Sequence, residues 1–155
     1  MINYLRKSYL QSGLGVIILT VTSLLLLIAS IVYKIIDFGT LKIIDEGDKT
    51  LVFLMFLIGG IVGLVIPLFH IKVVEDILPL VPTAMFAIGT GRMFYLTVYP
   101  IADKITNVKW FGGSLSLYLT FFIIYLVGCI AAVVANFFEI RKVAQEERDQ
   151  VAIVE

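Results

Sequence analysis

Apolar residues fall in four long blocks along the chain, separated by short polar stretches. An α-helix rises about 1.5 Å per residue, so about 20 apolar residues carry it across a hydrocarbon layer about 30 Å thick. The runs at 13–33, 51–69 and 114–138 contain no Asp, Glu, Lys or Arg, and each predicts a transmembrane helix. The block at 78–99 is also long enough, although it holds Arg92 and opens with Pro79 and Pro82. Prolines are tolerated in a first helical turn, where the missing N–H has no intrahelical partner in any case. A fourth span is therefore predicted there, closed by Pro100, and Pro67 is expected to kink or end the second helix. Beyond the last block, 139–150 is rich in charge and in good helix formers, which predicts a helical extension into water.

The connections are short, which keeps consecutive helices adjacent and antiparallel. The expected fold is all-α, an antiparallel four-helix transmembrane bundle forming one domain over 1–155. Composition agrees: 60% of residues are hydrophobic and mean hydropathy is +1.03, outside the range of water-soluble domains. Arg6 and Lys7 precede the first block as they would in a signal peptide, but its apolar stretch is too long and no small-x-small cleavage site follows. An uncleaved first helix is predicted.

Charge narrows the function classes. Twelve Lys and Arg balance twelve Asp and Glu, leaving no basic field to hold a nucleic acid. Lys and Arg also divide evenly between the two sides of a four-span topology, so orientation rests on Arg6 with Lys7 and Arg141 with Lys142 beside helix ends. These pairs favour cytoplasmic termini. Tyr33, Tyr99, Trp110 and Phe111 would then form part of an aromatic belt at the outer interface.

Catalytic and cofactor chemistry finds little support. The single thiol, Cys129, excludes a disulfide or redox pair within the chain, and one histidine cannot give a haem two axial imidazoles. No His, Cys and carboxylate cluster has metal-ligand spacing, so no cofactor, no metal and no enzyme activity are expected. Gly89-Thr90-Gly91 lacks the strand and the Gly-Lys-Ser/Thr of a phosphate loop. The first, second and fourth spans carry no carboxylate to couple transport to protons. His70, Glu75 and Asp76, with Lys72, make a polar cluster between the second and third helices. A solvated turn accounts for it; an acid/base site in which a carboxylate orients His70 is the alternative.

Two features point to assembly or ligand handling. Lipid offers no hydrophobic drive for helix association, so small residues mark close packing. Gly59 and Gly63 form a GxxxG pattern on the second helix, and Gly128 with Ala132 a small-xxx-small pair on the fourth. They serve either contacts within the bundle or a homo-oligomer or larger membrane-protein partner. Arg92 is the one charge inside a span, about 10 Å below the nearer interface if that helix is centred near Gly89. Either it snorkels to headgroups, or, with no carboxylate in the spans to meet it, it binds an anionic small molecule or lipid headgroup with help from Tyr95 and Tyr99. A non-enzymatic membrane subunit, homo-oligomeric or part of a larger complex, is the leading expectation. A transporter component or binder holding an anionic or lipid-like ligand near Arg92 is the alternative.

Overall fold

A computed structural model describes residues 13–39, 46–68 and 77–138. Those residues form four helices: α1 (Leu14–Ile35), α2 (Glu46–Val65), α3 (Leu80–Thr106) and α4 (Leu115–Ala135), with a 3₁₀ turn, Ile66–Leu68, after α2. Each helix packs chiefly against its sequence neighbours, and α1 against α4 closes the ring. Leu14–Ile35, Gly47–Leu68 and Leu115–Ala135 are long and apolar enough to cross a membrane. The 27-residue α3 has the length but not the apolarity, diluted by Arg92 and by Thr83, Thr90 and Thr97.

Two boundaries depart furthest from the sequence reading, and both departures place the candidate site; α4 also ends at Ala135 rather than 138. α2 begins at Glu46 rather than 51, because a charge ends an apolar run without ending a helix. Carboxylates in a first turn are favoured there by the unpaired N–H groups and the positive end of the helix dipole. α3 runs through Pro100 to Thr106 and ends at Asn107 in the left-handed region, φ 55°. A proline removes one donor and crowds the carbonyl four residues back, which kinks a helix but does not stop it where contacts hold both halves. Here Tyr99 packs on Phe111 before the helix ends, and the Asp103 carboxylate accepts the backbone N–H groups of Trp110, Phe111 and Gly112 at 2.8–3.1 Å. Pro67 sits within the 3₁₀ turn that ends the second apolar block, and Pro79 and Pro82 sit at the start of α3.

The interior is aromatic. Phe56 of α2 stacks on Tyr125 of α4 with centroids 3.8 Å apart, Phe86 of α3 lies parallel beyond it, and Tyr33, Phe38, Tyr118 and Phe121 continue the cluster. Tyr33 is only 3% exposed, so it belongs to this core and not to an interfacial belt. Trp110, at 69% exposed, remains at the surface. Large apolar side chains cover the outside of all four helices, among them Leu25, Ile58, Ile88 and Val127.

Candidate functional site

The expected small-residue positions all lie inside the bundle. A Cβ at Gly59 would sit 2.8 Å from the Phe86 ring, one at Gly63 2.7 Å from the Ser23 Cβ, and one at Gly128 2.5 Å from Leu26. Ala132 is fully buried. These close approaches are between helices of one chain. Gly91, on the outer face of α3, has no such neighbour: a Cβ there would meet nothing within 4 Å.

Arg92 is where the sequence reading needs its main correction. With α2 starting at Glu46, Asp48 stands in its first turn, and an Arg92 guanidinium nitrogen donates to the Asp48 carboxylate in an ion pair. The chain therefore supplies the anion that the apolar blocks alone do not contain. The guanidinium also lies over the Tyr95 ring, 4.6 Å from its centroid, a placement that favours a cation electrostatically. The Tyr99 hydroxyl donates to that of Tyr95 at 2.5 Å, and the Tyr99 ring meets Phe111 edge-on. Arg92, Tyr95 and Tyr99 are thus brought together as the 3-4 spacing of a helix face predicts, and Asp48 joins them from the neighbouring helix.

This cluster lies at the seam between α2 and α3 and is open to the outside. The side chains of Arg92 and Asp48 are 36% and 23% exposed, Tyr95 is 43% exposed, and the Arg92 Nε–H finds no acceptor among the described residues. A guanidinium carries five N–H donors in a planar fork, so the Asp48 contact leaves it capacity for a second acceptor.

Other polar groups line the inside. Thr83, Thr90 and Thr97 recur every seven residues on α3, and each hydroxyl donates to the carbonyl four residues back at 2.7–3.0 Å. Thr90 and Thr97 also reach toward the Tyr125 and Tyr118 carbonyls of α4, at 3.3 and 3.5 Å, and Asn136 donates to the Thr83 hydroxyl at 3.0 Å. The hydroxyls of Ser23, Tyr33, Tyr118 and Tyr125 are buried with no hydrogen-bond partner among the described residues. The seven-residue spacing of these threonines and of Tyr118 with Tyr125 is legible in the sequence itself, although none of these residues carries a charge. A recess of about 340 Å³ lies where α1 meets the start of α2, lined by Tyr33, Lys34, Asp37, Phe38, Lys49 and Thr50 among others. Lys49 donates to the Gly39 carbonyl there at 3.2 Å.

His70, Glu75 and Asp76 lie outside the described residues, as does 139–150. Among the described residues no group of three His, Cys, Asp or Glu side chains is placed to hold a metal. Set against protein-family models, curated proteins and solved structures, the chain matches none of them.

Proposed function

We propose that this chain is a four-helix integral membrane protein, its consecutive helices antiparallel, that works as a non-catalytic subunit by assembling with other membrane-embedded protein. The observation that carries the reading is the division of surface. Large apolar side chains face outward on every helix while Thr22, Ser23, Ser30, Thr83, Thr90 and Thr97, with the Tyr33, Tyr118 and Tyr125 rings, are held inside, the arrangement expected when the surroundings are lipid and not water. Antiparallel order is supported by the helix contacts: Gly59 and Gly89 approach Met85 and Met55 respectively, so a rising number on α2 meets a falling one on α3. Thr90 with Tyr125 and Thr97 with Tyr118 repeat that pattern between α3 and α4. α3 inserts with the others because its neighbours cover the threonine face and Asp48 offsets the Arg92 charge.

The same ion pair counts against the alternative in which Arg92 holds an anionic small molecule or a lipid headgroup, since its first acceptor is the chain's own carboxylate. Orientation with both termini in the cytoplasm rests on the basic pairs beside the helix ends.

Two measurements test the reading. Cysteines introduced at Lys109 and at Glu146, in a Cys129→Ala background, should react with an impermeant maleimide from opposite faces of the membrane. Labelling of both from one face ends the four-span topology. Mass measured in mild detergent should exceed that of one chain, and a monomer that alone sustains a catalysed reaction contradicts the subunit role.

A further inference from the structure

The polar seam between α2 and α3 carries a property that a single copy does not use. Arg92 and Asp48 stand side by side on the outer surface, one on each helix, with their charged groups in contact, and both are partly exposed. Below them the seam is apolar and open, with Ile58 40% and Ile88 56% exposed. Copies inserted with one orientation can pair about a two-fold axis along the membrane normal, and such an interface is self-complementary. When two equal surfaces face one another this way, the α2 side of one lies opposite the α3 side of its partner. Asp48 of each copy would then face Arg92 of the other.

From this geometry we infer that the α2–α3 seam is a homodimer interface in which the two Arg92–Asp48 pairs close into a ring of four alternating charges. The inference rests on the proposed membrane assembly and names its partner as a second copy of this chain. Electrostatics favours that occupant over lipid. Acyl chains offer no acceptor to the remaining guanidinium donors, and polar groups at membrane depth are favoured where protein surrounds them. A second carboxylate meets the unused donors of the fork, and excluding water and lipid strengthens every attraction in the ring. Like charges lie only on the diagonals. A copy with reversed insertion would not place these groups at a common height, so the ring also selects parallel insertion.

The geometry names the contacts to probe. Gly59 approaches Met85 and Gly89 approaches Met55, so Ile58 and Ile88 differ in height by about two residues, roughly 3 Å. Two differently tagged copies, one Ile58→Cys and one Ile88→Cys, both in a Cys129→Ala background, are co-expressed and treated in native membranes with a short bifunctional maleimide. A mixed-tag dimer should form several-fold faster than one between copies carrying Val127→Cys, which is exposed on α4. In a second arm Asp48→Arg copies are mixed with Arg92→Asp copies. Each has two like charges at the seam, and in a mixed dimer every contact across the interface joins opposite charges, whereas in a self-dimer every such contact joins like charges, so mixed dimers should outnumber either self-dimer. A mass above one chain without the 58-to-88 link, or a heteromeric partner seated on the seam, overturns this interface and leaves assembly standing. A monomer in detergent and in membranes alike overturns both.

Discussion

Gly63 offers the most direct test of the packing. A Cβ there would lie 2.7 Å from the Ser23 Cβ, with the Ser23 hydroxyl closer still, whereas a Cβ at Gly91 would meet open space. Both residues are interior to helices, so Gly→Ala removes the same backbone freedom at each, worth up to about 1 kcal/mol in favour of the helix. At Gly91 that gain should stand nearly alone. At Gly63 it is opposed by overpacking, which costs about 1–3 kcal/mol when side chains or helices must shift. Ser23 is fully buried against α2 and its Cβ moves only with α1, so the upper half of that range applies. Gly63→Ala should therefore fall below Gly91→Ala by about 2 kcal/mol, and Gly63→Leu should fail to assemble the bundle. Stability is read by reversible unfolding in mixed detergent micelles, helicity and near-ultraviolet dichroism being followed together. Adding Ser23→Gly to Gly63→Ala should recover most of the difference, because the clashing Cβ is gone. Gly63→Ala as stable as Gly91→Ala would mean that α1 and α2 do not approach closely at this level, and the helix arrangement would fall with it.

Arg92→Leu should lower membrane yield by stranding the Asp48 carboxylate, and the double variant with Asp48→Leu should recover it; equal yield for all three would show that the pair does not matter to folding. Phe56→Ala empties the space stacked on Tyr125 and should cost about 3–5 kcal/mol, read in the same micelle unfolding. Tyr125→Phe, by contrast, removes a buried hydroxyl that has no partner among the described residues and should be neutral or stabilising by about 1 kcal/mol; a clear loss would reveal a partner for it. Asp103→Ala releases three backbone N–H groups of the α3–α4 connection and should cost about 1.5–3 kcal/mol, seen as faster proteolysis near Trp110.

The number of helices and their approximate spans were legible in the sequence, because an uninterrupted apolar run depends only on local composition and length. So were the start of α3 at its prolines, the proline-marked end of α2, and the shared face of Arg92, Tyr95 and Tyr99, which follow from proline chemistry and helical spacing. Helix ends marked by charge were not legible, since a charge leaves the apolar run but can stay in the helix, and that is how Asp48 was missed as the partner of Arg92. Pro100 misled for a related reason: whether a proline stops a helix depends on what holds the residues beyond it, here Phe111 and the loop gathered by Asp103. Nor could local pattern place Tyr33 in the core. An aromatic near a helix end suits an interface or an interior equally, and only the arrival of Phe121 and Tyr125 from α4 decides between them. The sequence by itself determined which segments are helical and apolar, a property of consecutive residues; tertiary structure alone decided which side chains meet, because Asp48 and Arg92, 44 residues apart, become neighbours only when α2 packs on α3.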